Sequence, residues 1–434
     1  MRSLFVILNI FVFLLALSTP AAVSQNNKVA SQTVGQRPSE VNSYSPHLPP
    51  RAHIYHRISR VVFLFAIGWR ILGLLLLLWL GVSARFRDIA HSIASQLYRR
   101  IRPSDSRSTT DAADFVSIAV FFILYSVWIA AWSMPVAFIE LIIERKFGFS
   151  NQSNLLFLKD HVTSLCVGWS MIPVVWLGFK VHAMYPKRWW LILWAALTPI
   201  VLAVTIVYPV VIAPLYNRYT PLEPGQLRAD ILTLAARADI HTDHVFVEDT
   251  SRRTSHVNAY VTGFGPSTRI VLNDTALTTL PSDQILAMTA HEMGHYAEHH
   301  VLIGTALSIL GSGLALFLVS VIVPPFVACC GPKYRLRDPG DIAALPLIML
   351  VIVVLGLLGE PVSNAVSREM EHRADAYGIQ ISGLNDATAR LMVGFAERDL
   401  SDPDPPPLLH FWFGTHPTLN ERIQFAIKSK SPRK

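Results

Sequence analysis

The 434-residue chain is 52% hydrophobic and 15% charged, whereas about a quarter of the residues in a typical soluble domain are charged. This composition excludes a disordered polypeptide, and because the apolar residues are collected in long runs it argues against a purely cytosolic enzyme. The 37 Lys and Arg residues outnumber the 30 Asp and Glu residues, which gives a net charge of +7. In a membrane protein such an excess is typical of loops beside lipid headgroups, so we expect no nucleic-acid partner. The three cysteines, Cys166, Cys329 and Cys330, indicate neither a disulfide framework nor a cysteine-based zinc site.

The N-terminal segment has the features of a targeting sequence. Residues 4–19 are apolar, follow Arg2 and precede a run of small residues, as in a secretory signal with its cleavage region. Residues 1–24 are therefore predicted to be a signal peptide, with an uncleaved anchor as the alternative. Residues 25–52 are polar, contain two consecutive prolines near their end and are predicted to be a linker.

Six further apolar runs approach or exceed the roughly 20 residues that a helix needs to cross a bilayer. They lie at residues 61–83, 114–141, 161–179, 190–214, 301–327 and 341–362. Residues 53–214 are thus predicted to contain four transmembrane helices and residues 301–363 two more. Residues 215–300, between them, and residues 364–434, after them, are polar enough to be water-soluble.

The basic residues between the spans are distributed unequally. Twelve of them share one side of the membrane: Arg85, Arg87, Arg99, Arg100, Arg102, Arg107, Lys180, Lys187, Arg188, Lys333, Arg335 and Arg337. Short loops rich in Lys and Arg remain in the cytoplasm. This distribution alone therefore predicts that residues 215–300 face away from the cytoplasm.

A metal-binding pattern stands in a predicted helix at Pro281–His300, where a proline and an acidic residue occupy the first turn. The helix contains the sequence His291-Glu292-Met293-Gly294-His295. At about 100° per residue, His291 and His295 project from one face and can bind one zinc ion. Glu292 is offset from them and can act on a water molecule without binding the metal.

A catalytic zinc site needs a third protein ligand and an open position for water. Another helix is predicted around Asn364–Asp375, and its residues Glu371 and Asp375 share a face because they are four positions apart. One of them can reach the metal while the other accepts the remaining N–H of a ligand histidine. The alternative is an ordinary solvated helix face. His299, four residues after His295, is a competing third ligand.

Several blocks of this sequence resemble one family, the integral-membrane zinc endopeptidases of the CAAX prenyl protease type I kind, which are related to bacterial heat-shock membrane proteases. The resemblance extends from about residue 140 to 425. It rests on Glu144–Gln152, Ile212–Leu222, Ser251–Tyr260, Arg269–Leu277, the His-Glu-Met-Gly-His core with a trailing His300, Ser367–Asp375 and Thr415–Pro417.

The resemblance implies that His291, His295 and Glu371 are the zinc ligands and that Glu292 is the catalytic carboxylate. It also implies that Asp375 orients a ligand or donates a proton. The expected fold is mainly α-helical: a ring of membrane helices around a chamber, with a gluzincin-type zinc protease domain. Family members have seven spans, a number this chain reaches only if residues 4–19 are retained. The eukaryotic members work on the cytosolic side, in contrast to the side predicted from the charges.

Substrate recognition is expected at a small sheet of three strands, Asp243–Glu248, His256–Thr262 and Thr268–Asn273, in which Gly263–Pro266 turn the second strand into the third. Asn258, Ala259 and Tyr260 would lie along an exposed edge that adds the peptide as another strand. A purely structural hairpin is the alternative.

Glu292 would take a proton from the attacking water and deliver it to the leaving amine. The developing oxyanion needs a hydrogen-bond donor, for which His416 is the first candidate and His256 the second. His416 has a competing structural interpretation, because Pro417 and the capping box Thr418-x-x-Glu421 indicate that it immediately precedes a helix.

Charged residues inside the spans are further functional candidates. Arg70 falls in the middle of a span and either faces an aqueous chamber, extends toward the membrane surface or pairs with a buried acid. Glu140 and Glu360 lie near span ends, and Glu360, beside Pro361, is a candidate cap for the third-ligand helix.

These features together predict a membrane-embedded zinc endopeptidase with one Zn²⁺ per chain, acting on membrane-associated or prenylated CAAX-type peptides. The alternative is a multi-span zinc transporter or sensor. Transport ligands are expected within the spans, whereas these motifs precede one span and follow another, which favours catalysis. We expect a monomeric, multi-pass protein in the lipid bilayer, in the plasma or inner membrane if the host is bacterial, with peptides or membrane proteins as substrates.

Overall fold

The computed structural model describes residues 44–101, 107–263 and 265–429. The predicted signal or anchor and most of the predicted linker lie outside these residues. The end of that linker, from Tyr44, is described, and it is not isolated: Tyr44 and Leu48 pack against buried hydrophobic residues, and the backbone N–H of His47 donates to Glu397. The first membrane helix begins at Pro50, a position in the first turn where a proline suits a helix.

Helices dominate the described chain. The first group comprises α1 (Pro50–Trp79), α2 (Val82–Ile101), α3 (Arg107–Phe147), α4 (Asn154–Trp169), α5 (Ile172–Met184) and α6 (Trp189–Val207). The soluble part follows with β1 (Tyr219–Pro221), α7 (Gln226–Arg237), β2 (Val245–Glu248), β3 (Ala259–Thr262), β4 (Arg269–Asn273), α8 (Asp274–Thr279) and α9 (Ser282–Ala297). Two long helices, α10 (His300–Cys330) and α11 (Leu345–Ser382), precede α12 (Asn385–Glu397), α13 (Pro407–Phe413) and α14 (Leu419–Lys428).

Six helical segments of the described chain are long and apolar enough to cross a membrane. They are Pro50–Trp79, Asp111–Phe147, Asn154–Met184, Trp189–Leu215, His300–Tyr334 and Ile342–Ser382. Helices able to cross a membrane thus occur at all six places where the sequence predicted a span. Their surfaces carry large exposed apolar side chains such as Leu310, Leu314 and Leu358, which suit contact with lipid because a helix satisfies its own backbone polar groups. The arrangement of the spans as a ring around a chamber stays a prediction.

The segments that connect the spans gather at two opposite ends. At one end, Arg87 in the basic helix α2 pairs with Asp341 at 2.5 Å and donates to the carbonyl of Arg335, so α2, which follows α1, lies against the loop after α10. At the other end, the start of α1 lies against α12 through the hydrogen bond from His47 to Glu397. The segment that precedes the first described span therefore lies on the same side as the soluble part.

The sheet has four strands in the order β1-β2-β4-β3, not the three predicted. The additional strand, β1, pairs antiparallel with β2. It is only three residues long and contains Pro221, which is unfavourable in most strands but tolerated at a sheet edge, so the sequence pattern did not indicate it. β2 and β4 are parallel, and β3 pairs antiparallel with β4 at the opposite edge. The predicted edge position of β3 is confirmed.

Helix α9 packs on the sheet through a core that includes Ile270, Leu272, Ile285 and Met293. On its other side it approaches α11 with almost no space between the two backbones. A Cβ atom on Gly294 would lie 2.9 Å from the carbonyl oxygen of Ala374, and one on Gly378 would lie 2.8 Å from the backbone nitrogen of His291. Glycine at these positions permits the close approach, which brings the His-Glu-x-x-His motif next to the block that contains the third predicted ligand.

The third-ligand block is not a separate helix. α11 continues from the membrane through Pro361 to Ser382 without a break, so the prediction that Glu360 caps a new helix was wrong. Prolines are tolerated in membrane helices because neighbouring groups satisfy the freed backbone atoms. Glu360 instead accepts a hydrogen bond from Asn364 one turn later. Of the other charged residues in the spans, Arg70 interacts electrostatically with Glu140, which favours pairing with a buried acid.

Candidate metal centre

Three predicted ligands converge between α9 and α11. His291 Nε2 lies 3.2 Å from His295 Nε2 and 3.3 Å from Glu371 Oε2, and His295 Nε2 lies 3.3 Å from Glu371 Oε1. Glu371 is 1% exposed, and its Oε2 accepts no hydrogen bond from the described residues. A buried carboxylate oxygen in this condition is expected where a cation is bound.

The spacing of these atoms fits a small tetrahedral ion. Zinc binds histidine nitrogen and carboxylate oxygen at about 2.0–2.1 Å, and the corners of a tetrahedron of that radius are about 3.3 Å apart. The three observed separations are 3.2, 3.3 and 3.3 Å. Two imidazoles and one carboxylate also form a ligand set that catalytic zinc sites use. The residues therefore fit the metal that the sequence predicted.

A carboxylate and an arginine support the first of the two histidines. His291 Nδ1 lies 2.9 Å from Asp375 Oδ1, and Arg422 donates two hydrogen bonds to Asp375, at 2.7 and 2.8 Å. Burial lowers the pKa of His291, but the hydrogen bond and charge of Asp375, with those of Glu371, outweigh it and raise the pKa to about 10. Burial opposes the charge of Arg422 as well, yet Asp375 and Glu371 raise its pKa above the ordinary value.

The second histidine has an uncharged partner instead. His295 Nδ1 lies 2.8 Å from Nδ1 of His300. Burial lowers the pKa of His295 to about 4, which favours the neutral ring that binds metals. The Nδ1 atoms of the two histidines thus have different partners: a charged carboxylate for His291 and an imidazole for His295.

A left-handed residue explains why His300 rather than His299 contacts the motif. The predicted helix to His300 ends at Ala297, and His299 adopts a φ of 54°. In a continuous helix His299 would share the face of His295 and His300 would lie about 140° away from it. The reversal at His299 instead leaves His299 exposed and buries His300 against His295. His299 is not in the ligand cluster of the described residues.

Glu292 and His416 border the same cavity as the ligand cluster, which has a volume of about 870 Å³. Glu292 is half-buried, and burial raises its pKa above the usual carboxyl value. His416 follows α13, and its Nε2 lies 3.3 Å from Glu371 Oε1 while its Nδ1 bonds to Thr415. The capping box of Thr418 and Glu421 that was predicted after it is present. His416 therefore both precedes a helix and contacts a candidate ligand.

The edge strand lines the cavity through Asn258, Ala259 and Tyr260. The backbone N–H of Asn273 donates to the carbonyl of Asn258, so the backbone groups of Asn258 and Tyr260 point toward β4. Because successive residues of a strand alternate in direction, those of Ala259 and Val261 point to the open edge. His256 also lines the cavity, but it is buried, with its ring centroid 5.8 Å from that of Phe149.

Three contributions to this site were not predicted. Arg422 and His300 support the ligands, and Glu248 lines the cavity, where it accepts hydrogen bonds from Tyr219 and Tyr260 at 3.1 Å each. The sequence did indicate His300, because it is the histidine that trails the zinc motif in the blocks shared with the family. Arg422 was not indicated, because an arginine in a short amphipathic helix is typical of an exposed face.

Comparison with known proteins agrees with this geometry. Residues 221–430 match the sequence profile of peptidase family M48, and residues 50–218 match that of the CAAX prenyl protease N-terminal region, described as five membrane helices. Within that range the structure has four segments able to cross a membrane.

Individual relatives include an uncharacterized metalloprotease, YhfN, of Bacillus subtilis, which is 36% identical over 300 residues, 69% of this chain and 70% of its own. CAAX prenyl protease 1 of Saccharomyces cerevisiae is 32% identical over 300 residues, with 65% and 66% coverage. The CAAX prenyl protease 1 homolog of Oryza sativa is 30% identical over 320 residues, with 71% and 72% coverage.

A solved structure shares the fold. The crystal structure of S. mikatae Ste24p superposes with a TM-score of 0.70 at 25% identity, covering 86% of this chain and 87% of that one. Protease relatives, a peptidase profile and a matching protease fold do not favour a transporter or sensor. The chain belongs to the CAAX prenyl protease type I family within peptidase family M48, and it is a multi-pass integral-membrane metalloendopeptidase.

Proposed function

We propose that this protein is a zinc endopeptidase that cleaves peptides presented at the membrane surface, with prenylated CAAX-type C-termini among its substrates. The observation that carries the proposal is that three metal-ligating side chains, a general-base candidate and the open edge of a strand border one cavity. The cavity is large enough to enclose several peptide residues and lies next to the ends of the membrane helices that contribute Glu371 and Thr205.

His291, His295 and Glu371 would hold one Zn²⁺ per chain. When bound, zinc would supply Lewis acidity toward the peptide carbonyl and make water a stronger acid. Glu292 accepts the proton of the attacking water and returns it to the leaving amine, a role that suits a carboxyl with a raised pKa. His416 donates a hydrogen bond to the oxygen on which negative charge develops, and Asp375 keeps His291 oriented.

The substrate binds as an additional strand beside β3. The outward backbone groups of Ala259 and Val261 pair with the peptide main chain, while Asn258, Tyr260 and His256 line the adjacent space. Main-chain pairing gives affinity with little dependence on sequence. Attachment of the substrate to the membrane then supplies the selectivity.

The role of the prenyl group is tested with one fluorogenic CAAX peptide in three forms: unmodified, farnesylated at its cysteine and acylated with a saturated chain of similar hydrophobicity. All three are offered in the same vesicles with purified protein. We expect the farnesylated and acylated forms to exceed the unmodified one. Faster cleavage of the farnesylated form than of the acylated form supports prenyl recognition, and equal rates support selection by membrane attachment alone.

The catalytic assignment is tested by Glu292→Gln, with the zinc content of the purified protein measured beside peptide cleavage. We expect cleavage to fall below detection while the zinc content remains one per chain, because Glu292 does not bind the metal. A variant that retains full activity would end the assignment. Zinc uptake into proteoliposomes without any cleavage by the unmodified protein would revive the transporter alternative.

We further propose that the site faces away from the cytoplasm and that the protein is a monomer. The basic segments joined by Arg87 and Asp341, helix α2 and the loop after α10, lie at the opposite end of the spans from the site, and such basic connections between spans remain in the cytoplasm. Every group of the proposed site comes from one chain. Single cysteines at an exposed position of α7 and in the loop at residues 336–340, labelled from outside intact cells, test the orientation, and light scattering in detergent tests the monomer.

A further inference from the structure

The two ligand histidines are oriented by different kinds of partner. His291 is supported by the carboxylate of Asp375, which Arg422 neutralises. Within the described chain, the Nδ1 atom of His295 contacts His300 instead, at 2.8 Å from its Nδ1 atom and with the rings inclined by 66°. When one ring nitrogen of a histidine binds a metal, the hydrogen-bond partner of the other ring nitrogen fixes the tautomer and the ring orientation.

The protons of this pair can be assigned from the chemistry. The Nε2 atom of His295 faces the ligand cluster, so as a neutral ligand it carries its proton on Nδ1. That proton is donated to His300, whose Nδ1 must therefore be an acceptor. Neutral His300 then carries its own proton on Nε2.

The Nε2 atom of His300 is buried, and no group of the described residues is its hydrogen-bond partner. Leaving a buried N–H without a protein partner costs free energy, and an apolar side chain of similar size would avoid the cost. A residue selected for packing would therefore not be histidine. The contact with His295 gives a reason for the residue that packing does not.

The backbone is shaped to make this contact. The backbone N–H of Ile303 donates to the carbonyl of His299, so the left-handed residue is the N-cap of α10, and His300 lies in the first turn of that helix beside His295. A left-handed conformation is unfavourable for a non-glycine residue and persists where the surroundings impose it. The left-handed conformation of His299 thus occurs immediately before the histidine that contacts His295.

We propose that His300 is a positioning residue that accepts a hydrogen bond from His295 and thereby holds it ready for the metal. The inference rests on the metal site of the proposed function. Its effect is on metal affinity, exerted through His295, without contact to substrate.

Two substitutions of nearly equal shape separate this role from simple packing. The amide oxygen in His300→Gln can accept the hydrogen bond of His295, whereas the side chain in His300→Met lacks such an acceptor. We expect H300M to bind Zn²⁺ roughly 10- to 100-fold more weakly than the unmodified protein and H300Q to recover most of that loss. His241→Gln is the matched control, because it changes a histidine whose side chain is 89% exposed and does not line the cavity, so it should leave the affinity unchanged.

Zn²⁺ affinity is measured on the full-length, detergent-solubilised chain by competition with a chromogenic chelator, and the thermal unfolding of the metal-free form is recorded in parallel. We expect H300M to lose affinity while its metal-free melting temperature stays close to that of the unmodified protein, because the unpaired N–H of His300 is removed while the N–H of His295 loses its acceptor, two changes of opposite sign. If His300 acted only through packing, H300M would lower both the Zn²⁺ affinity and the melting temperature of the metal-free protein. Should H300M not fold, His300→Ala takes its place in the comparison with H300Q.

Equal affinities of H300M and the unmodified protein would overturn the proposal, as would equal losses in H300M and H300Q. Failure of the proposed function gives a different result, because the unmodified protein would then bind no stoichiometric Zn²⁺.

Discussion

The contact between α9 and α11 makes a quantitative prediction for Gly378→Ala. A Cβ at this position would meet three backbone atoms at 2.8–3.0 Å, among them the nitrogen and Cα of His291. Ordinary contacts of a Cβ begin near 3.4 Å, so the helices must separate by about half an ångström, since backbone atoms cannot rotate away. Overpacking of this kind costs about 1–3 kcal/mol.

This cost should appear in metal binding. The metal-free protein can relax by separating the helices, but binding requires the ligand atoms of His291 and Glu371 to return to their separation of 3.3 Å. Strain of about 1–3 kcal/mol corresponds to roughly 5- to 150-fold weaker Zn²⁺ binding. Chelator competition on the purified protein measures it.

Gly356→Ala is the matched control in the same helix. A Cβ there would have no neighbour within 4 Å, and alanine has the higher helix propensity, so we expect unchanged affinity and unchanged or slightly raised stability. If G378A bound Zn²⁺ as tightly as G356A, the idea that glycine sets the spacing of the ligands would be refuted.

Three further predictions concern the surroundings of the metal. Arg422→Leu leaves the buried Asp375 without its cationic partner, and we expect roughly 10- to 100-fold weaker Zn²⁺ binding in equilibrium dialysis; unchanged binding would show that the pair is structural. His416→Ala should lower kcat by about 100- to 1,000-fold with the metal content unchanged, which assays of peptide cleavage and metal content test together; an unchanged kcat would remove His416 from the mechanism. Val261→Pro removes an N–H from the outer edge of β3, where proline is tolerated. We expect KM to rise several-fold with a small fall in melting temperature, because the side chain of Val261 also packs against the core, and an unaltered KM would contradict strand addition.

The sequence was sufficient to predict the three candidate ligands that converge, because their geometry is mostly local. His291 and His295 are one turn apart on one helix, and Glu371 and Asp375 are one turn apart on another, so helical periodicity fixes each pair. The contact between the pairs depends on tertiary structure, and it was predicted only through resemblance to a family. The two glycines that permit it gave no pattern of their own.

Other parts depended on contacts that periodicity does not encode. Tyr219–Pro221 becomes a strand only because β2 offers it a partner. His299 leaves the helix through a left-handed conformation that histidine rarely adopts, so a prediction from helical spacing placed the wrong neighbour beside His295. Arg422 reaches Asp375 from 47 positions away in the sequence, and its buried environment is invisible in a helix that alternates polar and apolar residues.

The unbroken course of α11 has a mechanical consequence. Glu371 lies about 16 Å beyond Glu360 along one continuous helix, at 1.5 Å per residue. Membrane helices tilt when the thickness of the surrounding lipid changes, and a tilt of about 5° would move a carboxylate at the end of such a lever by about 1.4 Å. That displacement exceeds the few tenths of an ångström that coordination tolerates, so retention of the ion becomes sensitive to acyl-chain length, which measurements in vesicles of graded thickness would reveal.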